Sequence, residues 1–155
     1  MKKFMALVLA LVCGISAAGC GGQDPAGNEV PQAQPNAWGV TLEAEDVTNT
    51  GLKLVCRHSG GEDVFELQTG SYYVVEKSEN SRWEAVEYLP QEYDVAWTKE
   101  AWIIPKEDAN AWDVDWEWLY GALPAGTYRI GKEIMNFRGP GDFEIEMVYA
   151  DFVIE

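Results

Sequence analysis

The stretch Trp112-Asp113-Val114-Asp115-Trp116-Glu117-Trp118 alternates apolar and acidic side chains without an exception. Successive side chains of a β-strand point to opposite faces, whereas a helix repeats every 3.6 residues and would mix the two kinds. The stretch therefore predicts a β-strand from Trp112 to Trp118 that has one apolar face, shared by its three tryptophans, and one solvated acidic face.

The same alternation continues on both sides of this stretch. Val40, Leu42 and Ala44 alternate with polar residues, and Asn49-Thr50-Gly51 supplies a hairpin turn before the next alternating run, Leu52–Arg57. Further extended runs are predicted at Val64–Leu67, Tyr72–Lys77, Trp83–Tyr88, Val95–Ile104, Thr127–Met135 and Phe143–Ile154. No run has the spacing of an amphipathic helix. Eight or nine short strands separated by turns predict an all-β protein, an antiparallel β-sandwich.

The connection Leu123-Pro-Ala-Gly-Thr-Tyr128 leads into one of these strands. It is similar to the tyrosine corner of Greek-key sandwiches, in which a tyrosine hydroxyl bonds back to the preceding connection. Tyr128 is in phase with the apolar residues Ile130 and Ile134, so its ring is expected to face the core. We therefore predict a structural role for Tyr128.

The N-terminal residues have the composition of an export signal. Lys2 and Lys3 precede the apolar run Phe4–Val12, and the small residues Ala17-Ala18-Gly19 precede Cys20. This order resembles the lipobox of bacterial lipoproteins, although Ala17 stands where that family usually has Leu. The resemblance implies a signal peptide over residues 1–19, acylation of Cys20, and a protein outside the cytoplasm that is anchored to the membrane. The apolar run is shorter than the about 20 residues that a transmembrane helix needs.

Residues 20–37 are expected to form the lipidated cysteine and a disordered linker. Its sequence after Cys20, GGQDPAGNEVPQAQPNA, is rich in Gly, Pro, Gln and Asn and has no apolar periodicity. The folded domain is accordingly predicted over residues 38–155.

Charge and cysteine content limit the classes of function. The chain has 26 acidic and 11 basic residues and a formal net charge of −15, which disfavours nucleic acid and anionic lipid head groups as partners. Cys13 lies in the predicted signal peptide and Cys20 would carry lipid, so Cys56 would be the only free thiol of the mature chain. That excludes an intrachain disulfide and a metal site built on several cysteines.

Several stretches together resemble the bacterial immunoglobulin-like domains of secreted and membrane-attached proteins. The most specific are Trp116–Gly121 and Leu123–Lys132, and the others are Gly39–Leu42, Thr50–Leu54, Glu66–Tyr73, Trp102–Pro105 and Phe137–Gly139. The resemblance covers nearly all of Gly39–Glu155. It implies an extracellular immunoglobulin-like sandwich with an accessory or recognition role, without catalytic residues to carry over and without the antibody-type disulfide.

One segment, Cys56-Arg57-His58, brings a nucleophile and a base together in sequence. On a strand, alternate residues are about 6.5–7 Å apart, beyond hydrogen-bond reach, and the thiol would also fall in the core phase. The acidic row Asp113, Asp115 and Glu117, with Glu107 and Asp108 upstream, lacks the converging oxygens of a calcium site. The sequence therefore predicts no catalytic residue, no metal ligand and no cofactor.

Candidate interaction residues lie in one loop and among the seven tryptophans. Arg138-Gly139-Pro140-Gly141-Asp142 joins two predicted strands, and loops at the end of a sandwich offer recognition surface. Trp38, at the linker junction, and Trp83, after a turn, are expected to be the exposed tryptophans, while most of the others are expected in the core.

The leading hypothesis is a non-catalytic recognition module that binds a protein at the cell surface. Two alternatives stay open: a carbohydrate- or envelope-binding module that uses exposed aromatic residues, and a proteinase-inhibitor-like or accessory sensor domain. The expected partners are the membrane, through the acyl chains on Cys20, and a protein or a glycan at the surface.

Overall fold

The computed structural model describes residues 33–92 and 94–155. Cys20, the predicted signal peptide and most of the predicted linker lie outside the described residues. The strands and the short helix, in chain order, are β1 (Val40–Glu45), β2 (Gly51–His58), β3 (Leu67–Thr69), β4 (Val74–Glu79), β5 (Arg82–Ala85), β6 (Trp102–Ile103), β7 (Asp108–Asp115), α1 (Glu117–Tyr120), β8 (Gly126–Gly139) and β9 (Asp142–Ile154).

These strands form two antiparallel sheets that pack as a sandwich. The smaller sheet has the order β1-β2-β7. In the larger sheet, β8 is the central strand: β9 pairs with it on one side, and β4 and β3 pair with successive parts of it on the other. Strand β5 lies beyond β4, and β6 lies beyond β3. The predicted antiparallel β-sandwich of eight or nine strands is confirmed.

Period-two alternation builds the core between the sheets. In β8 the residues Tyr128, Ile130 and Ile134 are fully buried, and in β9 Phe152 is buried opposite them. The ring of Phe152 lies between two others, with its centroid 5.6 Å from that of Tyr128 and 5.5 Å from that of Trp116. Aromatic burial of this kind supplies a large part of the stability of a small sandwich.

The predicted strand Trp112–Trp118 is wrong in its second half. Strand β7 ends at Asp115, and the one-turn helix α1 follows. Trp116 is fully buried in the core, where its backbone N–H donates to Thr50 O and its indole Nε1 donates to Asn49 O. The chain turns at this point, and Trp118 is left 52% exposed. The three tryptophans therefore do not share a face.

The predicted strand Val95–Ile104 is reduced to β6, which has two residues. The described residues between β5 and β6 have no regular secondary structure. In this connection the ring of Trp97 packs edge-on against those of Tyr72 and Tyr73, with centroids 5.4 Å and 5.0 Å apart. Aromatic packing against the larger sheet fixes this segment, so it does not require strand pairing.

Ordered structure begins before the predicted boundary at Trp38. Asn36 Oδ1 accepts hydrogen bonds from the backbone N–H groups of Trp38 and Val40, at 3.1 Å and 2.9 Å. Asn36 Nδ2 donates to Glu146 Oε2 on β9 at 2.8 Å. The last two residues of the predicted linker, Asn36 and Ala37, therefore belong to the folded domain.

Candidate interaction surface

The segment Arg138–Asp142 forms the tip of the long β8–β9 hairpin. Pro140 and Gly141 form the turn. Gly141 has a positive φ of 80°, which glycine adopts without steric strain. A register irregularity lies between Phe137 and Gly139. Arg138 forms ion pairs with Asp142 at 2.8 Å and with Glu144 at 3.1 Å, so its positive charge is neutralised within the hairpin.

Beside this tip, apolar side chains cross the outer face of the larger sheet. Ile145 on β9 lies opposite Met135 on β8, which lies opposite Gln68 on β3, and Gln68 lies opposite Ile103 on β6. Directly opposed residues share a face of the sheet. In the next row, Phe143 lies opposite Phe137. We call Ile103, Met135, Phe137, Phe143 and Ile145 the outer band.

The outer band is accessible to solvent. Ile103 is 57% exposed, and Phe143 and Ile145 are each 46% exposed. The opposite face of the same strands is filled, since Ile134 and Asn136 are buried. Gln68 separates Ile103 from the other residues of the band. Exposed apolar side chains that gather on one face outside the protein's own core are characteristic of interaction sites.

Acidic groups accompany the band on the same face. Exposed Glu133 on β8 lies opposite Met147, two residues along β9 from Ile145. Glu66, before β3, accepts a hydrogen bond from Gln68 Nε2 at 2.5 Å. The band is therefore an apolar surface in negatively charged surroundings.

The outer face of the larger sheet also carries Arg129, whose guanidinium group packs against two aromatic rings and a carboxylate. Its guanidinium carbon lies 3.8 Å from the ring centroid of Tyr149 and 4.7 Å from that of Trp83, and its Nε forms an ion pair with Glu76. The carboxylate neutralises the arginine, and the two rings cover its guanidinium plane.

The Cys56–His58 segment does not form a reactive site. Cys56 is fully buried, and burial raises the pKa of its thiol to about 12, which disfavours the nucleophilic thiolate. His58 is also buried, and its Nδ1 has no hydrogen-bond partner among the described residues. Glu107 nearby accepts hydrogen bonds from Gly60 N and Ser59 Oγ, which lower its pKa.

The acidic row does not converge on a metal site. Asp113 and Asp115 are exposed on β7, while Glu117 lies in α1. Within residues 33–92 and 94–155, no group of three or more His, Cys, Asp or Glu side chains is placed to hold a metal ion.

Residues 34–152 match the family model of the bacterial Ig-like domain. The chain belongs to the bacterial Ig-like domain family. No curated protein and no solved structure matches the chain. Domains of this family are typically non-catalytic and generally extracellular. Among the described residues no helix is long and apolar enough to cross a membrane.

In the bacterial Ig-like domain, Tyr128 lies near the start of β8. The ring is fully buried, and the hydroxyl donates to the carbonyl oxygen of Pro124 at 2.9 Å. This is the hydrogen bond of a tyrosine corner, and it ties the start of β8 to the connection before it.

The expected exposure of Trp38 is wrong, because the ring belongs to the core of the Ig-like domain and is 6% exposed. Gly39, with φ of 75°, turns the backbone against the loop at Gly60: an added Cβ there would lie 2.5 Å from Gly60 O. Trp83 is half-buried against Arg129. The most exposed described tryptophan of the domain is Trp118.

The outer band of this Ig-like domain was not predicted from the sequence. The signal lies in β9, where apolar residues occupy odd positions over 143–149 and even positions over 148–154. One phase fills the core and the other is left on the outer face. Apolar side chains on both faces of one strand indicate a second apolar surface besides the one that packs in the core.

Proposed function

We propose that this protein is a lipid-anchored, extracytoplasmic and non-catalytic recognition module that binds another protein through the outer band and the adjoining hairpin tip, Arg138–Asp142. The observation that supports this most is the exposure of Ile103 on β6 and of Phe143 and Ile145 on β9, all on one face of the larger sheet. A preformed apolar surface binds with little loss of conformational entropy.

The surroundings of the band define the chemistry of the partner. The chain has a net charge of −15, and Glu66 and Glu133 lie on the band's own face. A protein that offers an apolar patch rimmed by Lys or Arg is complementary to this surface, and such complementarity accelerates association and rejects acidic competitors.

The proposed anchor allows this surface to be presented away from the membrane. About 15 residues separate Cys20 from Asn36, and a flexible chain of that length spans roughly 20 Å. Asn36 is hydrogen bonded to Glu146, so the linker enters the domain beside β9, one residue from Ile145. Recognition would take place close to the attachment strand but within reach of neighbouring envelope proteins.

Site-specific photo-crosslinking in cells tests the proposal. A benzophenone amino acid replaces Ile145 in the anchored full-length protein, and a matched variant carries it at Leu89, which has a similar exposure of 44% but lies outside the band. We expect one discrete protein adduct from position 145, identified by mass spectrometry, and none of that species from position 89. The adduct should disappear when Ile103→Glu is added at the other end of the band, on β6.

Binding of the identified partner in purified form supplies the second measurement. Ile103→Glu should weaken it by about 30-fold or more if the band is the centre of the interface, and Leu89→Glu should leave it within about threefold. Equal adducts from positions 145 and 89, no adduct at 145, or binding unaffected by Ile103→Glu would each contradict the proposal.

A further inference from the structure

A recessed surface lies at one edge of the sandwich, between the edge strands β6 and β7. It is a cleft of about 210 Å³. Its aromatic walls are formed by Tyr73, Trp97, Trp102 and Trp112. The rings of Trp102 and Trp112 are stacked with centroids 5.7 Å apart and planes inclined by 27°. All three of its tryptophans are half-buried, so each keeps part of its ring area accessible.

Lys132 lines the same cleft and is only 3% exposed. It occupies a core-facing position of β8, where an unpaired charge would be strongly unfavourable. Its Nζ donates to the carbonyl oxygens of Gly70 at 2.5 Å and Tyr72 at 3.1 Å. An ammonium group has three N–H donors, and the described residues supply no third acceptor.

The aromatic walls also face this ammonium group. Lys132 Nζ lies 5.1 Å from the ring centroid of Trp102 and 5.7 Å from that of Trp112, within the range of cation–π attraction. Burial lowers the pKa of Lys132 to about 8, which records the cost of keeping the charge in this site.

Ser71, Asp113 and Asp115 complete the lining. The Asp113 and Asp115 side chains alternate with those of Trp112 and Val114 on β7 and therefore lie on the other face of that strand, so these two residues contribute their main chain. The Ser71 hydroxyl donates to Thr98 O, which leaves its oxygen free to accept. The cleft therefore combines flat apolar walls, a buried hydrogen-bond donor and a hydroxyl acceptor. A few polar groups among aromatic walls are typical of a small-molecule site.

These groups discriminate between classes of ligand. An anion would meet the overall charge of −15, and a cation would meet Lys132. A hydrocarbon would leave the remaining N–H of Lys132 without an acceptor, at the cost of an unsatisfied buried donor. A neutral ligand with an apolar face and several hydroxyl groups meets none of these penalties.

We propose that this cleft binds a neutral saccharide, with the C–H face of one sugar ring against the tryptophans, a ring hydroxyl accepting a hydrogen bond from Lys132, and a further hydroxyl donating to Ser71 Oγ. The cleft volume fits one sugar unit, so the rest of a longer glycan would lie outside it. The cleft and the outer band meet only at β6, where Trp102 and Ile103 point to opposite faces, and this inference does not depend on the protein partner proposed above.

Titration of the full-length protein with defined oligosaccharides tests the inference. The protein is held in micelles of a sugar-free detergent, and the probes are the neutral oligomers chitohexaose, cellohexaose and maltohexaose, with an oligogalacturonate of similar length as the anionic comparison. We expect at least one neutral oligomer to bind saturably by calorimetry and to shift the tryptophan fluorescence, and the anionic oligomer to bind at least about tenfold more weakly.

Matched variants locate the binding. Trp97→Ala removes a cleft wall that lies on an irregular connection, and Trp83→Ala removes a half-buried tryptophan outside the cleft. Trp97→Ala should lower the affinity by about tenfold or more and Trp83→Ala by less than about twofold. Lys132→Met should also lower it by about tenfold, and if that variant does not fold, the two tryptophan variants decide.

Three results would overturn the inference: no binding of any neutral oligomer, equal affinity for the anionic one, or an affinity that Trp97→Ala leaves unchanged.

Discussion

Removing one oxygen atom from Tyr128 tests the tyrosine corner directly. The Tyr128→Phe substitution deletes the hydroxyl that donates to Pro124 O at 2.9 Å and leaves the ring in place. The ring stays stacked on Phe152, with the centroids 5.6 Å apart, so no cavity is formed. The change in stability therefore reports the hydrogen bond alone.

The expected magnitude follows from the exposure of the two partners. Tyr128 is fully buried, but Pro124 is exposed, so water can reach its carbonyl oxygen after the hydroxyl is lost. The penalty for an unsatisfied buried acceptor is therefore largely avoided, and the net loss is that of one hydrogen bond, about 1–2 kcal/mol in the free energy of unfolding. In urea this lowers the midpoint by roughly 0.5–1 M.

Equilibrium unfolding in urea, followed by tryptophan fluorescence, measures the change. Tyr88→Phe is the matched control, because Tyr88 is 42% exposed and its hydroxyl makes no hydrogen bond among the described residues. The free energy of unfolding of Tyr88→Phe should differ from that of the wild type by less than about 0.5 kcal/mol. A Tyr128→Phe midpoint equal to that of the wild type would refute the assignment of the corner.

Three further outcomes are expected. Burial lowers the pKa of Lys132 to about 8 from an unfolded value near 10.5. Between these pH values the unfolded chain binds more protons than the folded chain, so the free energy of unfolding should rise with pH from about 8. Urea titrations at pH 7.5 and 9 should show this rise in the wild type but not in Lys132→Met. Cys56 should resist alkylation in the native protein and react in urea, as peptide mass mapping would show. Cys20→Ser should move the protein from the membrane fraction to the soluble fraction on immunoblots, and retention would refute lipidation.

Local patterns in the sequence predicted most of the fold. Period-two alternation located β1, β2, β8 and β9, and the connection before Tyr128 indicated the corner. The end of β7 could not be predicted in the same way, because the alternation continues through Glu117 and Trp118. Hydrogen bonds from Trp116 to the β1–β2 connection, at Asn49 O and Thr50 O, end the strand there, and these are tertiary contacts.

The exposure of individual tryptophans was also beyond local patterns. Trp38 follows a polar, Pro-rich segment, which gives no sign of burial. The hydrogen bonds of Asn36 and the close approach of Gly39 to Gly60 hold its ring in the core. The aromatic cleft likewise joins residues of β2, β6, β7 and β8 and of two connections, which are distant in sequence. By contrast, the two apolar phases of β9 are visible in the sequence and predict an uncovered face.

The two proposed surfaces are placed so that both can be used at once. Strands β1 and β9 lie at one edge of the sandwich, where Asn36 ties the entering chain to Glu146, whereas β7 and β6 lie at the opposite edges of their sheets. The cleft between β6 and β7 is therefore on the side away from Asn36. A glycan held there would lie away from the point where the chain enters the domain, and Trp97→Ala should leave partner binding through Ile145 intact. Ile103 adjoins the cleft wall Trp102 on β6, whereas Ile145 lies on β9, so Ile145→Glu and Trp97→Ala form the pair of variants that tests the independence of the two sites.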